Sequence, residues 1–486
     1  MATRPTIEIN FKQLATTLIK RSERGTAILL LNDATLATDR VYKWKYGAGD
    51  NTLSPEVQGS EYTSAKPITV DGVRYTNALK LDSKASIKLP LAADGTVTFV
   101  AASTNATPTI TIDGEEVSLN TDNTLDPTAA TPTKYGATTI NLAEGEHTIT
   151  YGSTNTYLYA INVTVKGTAK PTVKVYKSVA DIDEEIYSEK NLGYIKKCLN
   201  YAPYEVVVIS ALSFKFADFA PAIMTARSTG WIAFAGEETS QEDLASWIKS
   251  QENTGKTYKA VGTVKGKDCK HYVYFDQTCY DNDGNEVSAV DYLPNLLGII
   301  ASCNVTKGCT NFLCSDLSDV KEIEDIDKAV SAGQLVLAND IGGVRIVTGC
   351  NSLTSLNGNT NTEDMQYIET VEAMDLIRDD IRTVFKTTYQ GKFKNKYKYQ
   401  LLFIGAVNQY YSQLAAEDIL DDEYNNKAEI DVAEQRSAWL GTGKSEAADW
   451  DDDKVRSMSF KRSVFLASNI KVLNCMENLK FTVTLE

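Results

Sequence analysis

Apolar residues recur along this chain with two different periods, and the change from one to the other divides the sequence. The densest short-period signal is Gly333 to Leu353. Leu335, Val336 and Leu337 form an apolar run, Asn339-Asp340-Ile341-Gly342-Gly343 supplies a turn, and Val344, Ile346 and Val347 form the return run. That pattern predicts a buried hairpin. Thr26 to Leu31 (TAILLL) is continuously apolar, as expected of a central strand covered on both faces.

Strand and helix periods alternate from Thr172 onward. Thr172 to Tyr176, Glu205 to Ile209, Gly230 to Ala235 and Tyr258 to Val264 read as strands. Between them lie helical stretches at Ser188 to Tyr201, with Leu192, Ile195 and Leu199 on one face, and at Ser240 to Gln251, with Leu244, Trp247 and Ile248. This order implies an α/β layer with a partly parallel sheet. Further helices are predicted from Ala289, from Met365 to Tyr389 and from Gln400 to Ala416. In the second of these, Ile368, Val371, Met374, Ile377, Ile381, Val384 and Phe385 recur at helical intervals.

The composition shifts abruptly between about Asn51 and Lys166, a stretch rich in Thr, Ser, Asn, Gly and Ala. Asp71-Gly72, Asp94-Gly95, Asp113-Gly114 and Glu144-Gly145 separate short alternating runs such as Ser86 to Leu89, Thr96 to Phe99, Thr109 to Ile112 and His147 to Tyr151. Turn signals at this spacing describe an antiparallel sandwich of jelly-roll or immunoglobulin-like type, inserted into the surrounding α/β sequence. Both ends of the chain alternate. Ile7, Ile9 and Phe11 share one face of a strand near the start, and Leu479, Phe481, Val483 and Leu485 share one face near the end. The expected fold class is therefore a multidomain α+β or α/β chain with an inserted all-β sandwich. Its expected divisions are an arm at 1–24, an α/β domain at 25–50 plus 167–288, the insert at 51–166, a C-terminal core at 289–474 and a second arm at 475–486.

Charge and chemistry narrow the function by exclusion. Lys plus Arg number 49 and Asp plus Glu 64, a net charge of −15 that repels nucleic acid and anionic membranes. No apolar run is long enough to span a bilayer, and no basic-then-apolar leader follows Met1, so cytoplasmic synthesis is expected. Two histidines, His147 and His271, leave little from which to build zinc or Ser-His-Asp chemistry. The eight cysteines form no C-x-x-C pair and read as reduced, buried thiols. Gly441-Thr442-Gly443-Lys444-Ser445 lacks the first glycine of a phosphate loop, since Ala438 stands there. Asp281-Asn282-Asp283-Gly284 reads as a turn, and Asp449 to Asp453 as a solvated charge run. No catalytic residue, cofactor or metal site is expected.

One basic concentration stands out: Lys386, Lys392, Lys394, Lys396 and Lys398, interleaved with Phe393, Tyr397 and Tyr399. It reads either as a docking surface for an acidic partner or as an exposed charged loop. Tyr135, Tyr151, Tyr157 and Tyr159 of the insert are candidates for stacking on sugars, or else sandwich core.

Three collinear stretches carry a resemblance. They are Ile7 to Thr17 with Arg21-Ser22-Glu23-Arg24-Gly25; Gly343 to Thr354; and Asp375 to Arg382 with the closing Ile470 to Leu485. Over these, and over nearly everything outside 51–166, the chain resembles the tail sheath proteins of contractile phage tails, in the form found in phages of Firmicutes-type hosts and in phage-tail-like particles. The insert departs from the compact members of that family and is similar to carbohydrate-binding sandwiches only in general character. The resemblance implies a structural subunit of the virion, assembled in the host cytoplasm into hexameric rings stacked helically around a tail tube. It also implies exchange of N- and C-terminal strands between subunits, contact with tube, baseplate and terminator proteins, and contraction that drives the tube through the host envelope. On this reading Ile7, Ile9, Phe11, Leu479, Phe481, Val483 and Leu485 join subunits, the five lysines face the tube, and neighbours' strands attach near Gly333 to Leu353. The competing reading is a glycan-binding or glycan-active surface protein that uses the insert.

Overall fold

The computed structural model describes residues 18–33, 35, 39–91, 94–104, 106–165 and 171–484. It separates into two compact units, Met1–Asn32 with Pro171–Glu486, and Asp33–Lys170.

The first unit is built on a six-stranded sheet in the order Thr172–Tyr176, Glu205–Ala211, Thr26–Asn32, Thr229–Phe234, Thr257–Gly262, Tyr272–Tyr274. All neighbours are parallel except the first pair, which is antiparallel. The TAILLL run is one of its central strands. Because strand side chains alternate, Ala27, Leu29 and Leu31 enter one core while Ile28 and Leu30 enter the other. Parallel strands need crossovers, and helices supply them on both faces. Glu189–Leu199 and Ala289–Ser302 cover one face, and Phe216–Ala226 and Gln241–Asn253 the other. Ser188 and Ser288 cap two of these helices by accepting the backbone N–H of Asn191 and Asp291. Phe216–Ala226 was not foreseen. Phe216, Phe219 and Ile223 have helical spacing, but Pro221 stands inside the helix and obscures it.

The predicted hairpin forms as Leu337–Asp340 paired with Gly343–Ile346 around Ile341 and Gly342. Gly342 has φ +88, which a side-chain-bearing residue rarely adopts. Leu335, Leu337, Val344 and Ile346 lie in the same cluster as Leu29 and Leu296, so the hairpin belongs to the α/β core. Both its edges are already satisfied. On one side Cys314 N–H donates to Val344 O and Ile346 N–H to Phe312 O; on the other, Leu335 N–H donates to Tyr274 O and the Gln277 side chain bonds both N–H and C=O of Leu337. No backbone row is left there for a neighbour's strand, which corrects the expectation that strands attach at Gly333 to Leu353.

Beyond the hairpin, Ile368–Val384 and Tyr397–Ala416 form a helical layer with its own core, which includes Leu376, Val407, Tyr410 and Leu414, and Ile19 from the start of the chain. A buried ionic network joins this layer to the sheet. Glu372, Asp375 and Asp379 lie three and four residues apart, on one face of Ile368–Val384. Lys259, from strand Thr257–Gly262, sits 3.0 Å from Asp375 and 3.3 Å from Glu372. His271 Nε2 lies 3.0 Å from Asp375, and Trp231 Nε1–H donates to Glu372 at 2.6 Å. Arg24 pairs with Asp379 at 3.0 Å, and Thr257 donates to the same carboxylate at 2.7 Å. Burial would raise the Asp375 carboxyl, but Lys259 and His271 outweigh it and hold it far below the usual range. Burial would likewise depress His271, yet its hydrogen bonds to Asp375 and Glu252 leave its pKa raised.

The second unit is a two-sheet antiparallel sandwich. One sheet runs Glu115–Ser118, Thr109–Ile112, Gly145–Tyr151, Ser86–Leu91, Glu56–Gln58. The other runs Asn123–Leu125, Thr133–Leu142, Gly95–Thr104, Thr156–Val165, Leu79–Leu81, Ser60–Glu61. Ile87, Leu89, Ile110 and Ile149 of the first meet Val97, Phe99, Leu158 and Ile161 of the second in one core. Asp71-Gly72 and Asp113-Gly114 form two-residue turns with positive φ at both positions, the geometry that suits hairpin twist. Arg40–Lys45 pairs along Thr156–Val165, so residues 40–50 belong to the sandwich and not, as expected, to the α/β part.

Removing one member of a buried charge network strands its partners. Asp375→Asn is therefore expected to cost about 3–5 kcal/mol, read from the midpoint of urea unfolding. The loss should depend on pH. Glu252, lowered to about 2, and Asp375, lowered further, stabilise fully above the ordinary carboxylate range, near 4, and lose that contribution as pH falls through their folded values. His271, raised, stabilises fully below about 6.5 and loses its contribution as pH rises through its folded value. Thermal midpoints of wild type and variant, measured from pH 2 to 9, should differ most between these limits; a gap independent of pH would refute the assignment.

Candidate assembly surface

The helical layer carries a second small sheet, Lys427–Ile430 paired antiparallel with Leu466–Asn469. Its two edges differ. Asn408, projecting from Tyr397–Ala416, accepts from Ala428 N–H at 2.7 Å and donates to Ala428 O at 3.3 Å, covering the outer edge of the first strand. Ala428 thus turns its backbone away from Ser468, the residue opposite it, and in an antiparallel ladder Ser468 must turn its own N–H and C=O outward on the far side. Among the described residues no backbone partner meets Ser468, and Ala467, Ser468 and Asn469 are exposed. Leu466–Asn469 is therefore an open edge strand.

Both ends of the chain are rooted on this same layer. At the start, Ile19 is buried in the helical core, Arg21 pairs with Glu417 at 2.7 Å, Ser22 N–H donates to Asp380 at 3.1 Å and Arg24 is held by Asp379. At the close, Lys471 pairs with Asp421 at 2.6 Å, Leu473 N–H donates to Ile419 O at 3.0 Å, and Cys475 N–H donates to Glu369 at 2.9 Å. The chain then leaves the surface. Met476 is 103% exposed, Leu479 91%, Phe481 78% and Val483 65%. Among the described residues the strand expected here has no ladder, and Leu479, Phe481 and Val483 are bare. Leu485, and Ile7, Ile9 and Phe11, lie outside the described residues.

Lys386, Lys392, Lys394, Lys396 and Lys398 are all exposed, between and along the two long helices. Among the described residues no carboxylate lies within ion-pair range of them; Lys398 rests over the Tyr399 ring at 4.8 Å and Lys392 donates to Thr387 O. A cavity of about 170 Å³ opens beside them, lined by Phe385, Tyr389, Phe393, Tyr399 and Phe403.

The four tyrosines of the insert do not form a platform. Tyr159 is buried and donates to Lys66 O at 2.9 Å, and Tyr157 is buried and stacks on Tyr62. These two are core, which corrects their reading as sugar-facing residues. Tyr135 and Tyr151 are half-buried and stand on different sheets. The sequence reading also missed Asn408, Ser468 and Glu369. Asn408 had left a signal, since a polar, helix-disfavouring residue interrupts the apolar face of Tyr397–Ala416.

Comparison with known proteins finds two different families in two parts of the chain. The family model for the phage tail sheath C-terminal domain matches residues 360–486, and that for carbohydrate binding module 77 matches residues 22–161. The tail sheath protein of Clostridium phage phiCD119 is 30% identical over 252 residues, covering 51% of this chain and 68% of that protein. The crystal structure of a sheath tail protein from Desulfitobacterium hafniense is 13% identical and superposes with a TM-score of 0.43, covering 88% of this chain and 94% of that one. A structure from work on glycan recognition by the Ruminococcus flavefaciens cellulosome is 23% identical, with a TM-score of 0.21, over 27% of this chain and 97% of that one. By its kinship to the phiCD119 protein, with the sheath-domain match lying over the layer that roots both ends, the chain belongs to the family of contractile-phage tail sheath proteins.

Proposed function

We propose that the chain polymerises as stacked hexameric rings around a tail tube, joined by exchanged terminal strands, and that contraction of this polymer drives the tube through the host envelope. The observation that carries this reading is the common placement of three features on one helical layer: the open edge of Leu466–Asn469, the root of the N-terminal segment and the root of the C-terminal segment. Ile7, Ile9 and Phe11 at one end, and Leu479, Phe481, Val483 and Leu485 at the other, are the donors. An edge strand with unpaired backbone groups and a segment with a bare apolar face complete each other across subunits. Contraction then needs no nucleotide site, only a contracted packing more favourable than the extended one. Baseplate and terminator proteins meet the two ends of the polymer, and the unpaired lysines of 386–398 face an acidic tube.

A second reading applies to the insert alone. Its match to a carbohydrate binding module supports weak contact with host-surface glycans, added to the structural role.

Deleting residues 478–486 is expected to leave a folded, soluble subunit that forms no long sheaths under negative-stain electron microscopy. Normal sheaths from this variant would end the strand-exchange reading. Replacing Lys392, Lys396 and Lys398 together by Glu should preserve sheath formation while abolishing co-assembly with purified tube; unchanged co-sedimentation would show that another surface faces the tube. On a glycan array the full chain should retain at least one class of polysaccharide that a variant lacking residues 40–165 does not, and equal retention by both would remove the insert from host contact.

A further inference from the structure

The segment leading into the open edge strand also borders the cavity beside the lysines. Val464 and Arg462, just before Leu466–Asn469, line the cavity opposite the aromatic rings. Leu466 packs into the helical core, and Ser468 Oγ accepts from Tyr411 O–H at 2.9 Å. With Val464 they make up the helix-facing side of this segment, in the two-residue alternation of a strand. A strand added to the open edge would repeat that alternation, directing every second side chain at the helical layer.

The cavity's shape and chemistry suit a single large apolar side chain. At about 170 Å³ it falls below the roughly 300 Å³ of small-molecule sites. Its walls are aromatic, with ring centroids 4.8 Å apart for Tyr389 and Phe403 and 5.2 Å for Phe393 and Tyr399. It also contains an unmet polar requirement. Gln400 is 3% exposed; its Nε2 donates to Asn395 Oδ1 at 2.7 Å and its Oε1 has no partner. The orientation is set by Asn395, whose Nδ2 donates to Phe460 O at 3.1 Å and Ser463 O at 2.9 Å, leaving only its oxygen to face Gln400. A buried acceptor without a donor is costly.

We propose that this cavity is the anchor pocket of the exchanged C-terminal segment, filled by Phe481 of a second copy of the chain. The inference rests on the strand-exchange reading and adds which residue selects the register. Phe481 is the one aromatic residue among the exposed apolar side chains of 479–483. Charge favours this segment over the other end. The pocket rim is cationic, with Lys394 and Arg462. Residues 477–486 contain two acids, Glu477 and Glu486, and one base, Lys480, whereas residues 1–12 contain one acid, Glu8, and two bases, Arg4 and Lys12.

The test places the photo-crosslinker p-benzoylphenylalanine at position 481, and separately at 483, in the full chain, and assembles sheaths from a mixture with isotope-labelled copies. Crosslinks from 481 of one copy to residues 385–403 or 462–464 of another are expected. Crosslinks between copies that fall elsewhere, or crosslinks within one copy, overturn the pocket assignment while leaving strand exchange standing. Assembled sheaths with no inter-copy crosslink from either position overturn strand exchange itself. In parallel, Phe481→Ala should fold normally by circular dichroism and raise the concentration needed for assembly by about tenfold or more. Phe393→Ala should do the same, with the double variant little worse than either. Assembly of Phe481→Ala at the wild-type concentration overturns the proposal.

Discussion

The first unit depends on the ionic contact between the carboxylate face of Ile368–Val384 and the cations of the sheet. Taking charges out of water costs several kcal/mol per ion, and attraction repays this only when every partner is in place. A shift of the helix by a residue would strand Lys259 or Asp375 in a low-dielectric interior, so the network acts less as glue than as a register lock. Hydrophobic contact alone tolerates sliding; paired buried ions do not. Arg24 extends the lock to the segment that leads out to the N-terminal end.

That lock makes sense of the division between firm roots and bare ends. The roots at Ile19 to Arg24 and at Lys471 to Cys475 are tied by ion pairs and backbone hydrogen bonds to the helix Ile368–Val384 and to the turn at 417–421 that follows Tyr397–Ala416. Past Cys475 the apolar side chains Met476, Leu479, Phe481 and Val483 are exposed among the described residues. Under the proposed strand exchange, a pull on either terminal segment would reach this layer first. The sandwich and the outer strands of the large sheet need not deform. Under strand exchange a whole polymer can then rearrange by moving subunits as bodies, with the connecting segments absorbing the change.

Much of this was legible in the sequence, for local reasons. TAILLL, the hairpin around Ile341-Gly342 and the Asp-Gly turns of the sandwich are strong because each rests on residues within a few positions of one another. The closing segment was also legible, since Leu479, Phe481 and Val483 alternate with polar residues and all three are exposed. What the sequence hid was long-range. Glu372, Asp375 and Asp379 read as ordinary surface acids of an amphipathic helix until Lys259 and His271, more than a hundred residues earlier, are brought against them. The open edge was misplaced for the same cause. Hairpin strength is a local property, but whether an edge is free depends on what else packs there, and Asn311 to Cys314 and Gln277 close the stronger hairpin while Asn408 leaves the weaker pair open on one side. Tyr157 and Tyr159 are core because a short hairpin, Ile68–Val70 with Val73–Tyr75, packs in the same cluster, a covering that no aromatic count reveals.

The sandwich has one further property, set by how its two ends pair. Arg40 stands opposite Val165 in the ladder between its first and last strands, so the chain enters and leaves this unit side by side. In the six-stranded sheet Asn32 aligns with Ala211 and Thr172 with Ser210 of the one strand between them, a gap of two strand spacings, about 10 Å. A few residues would close that gap. The insert is thus a cassette in the pairing of the host sheet: a short bridge in its place would leave every strand register of that sheet as it is.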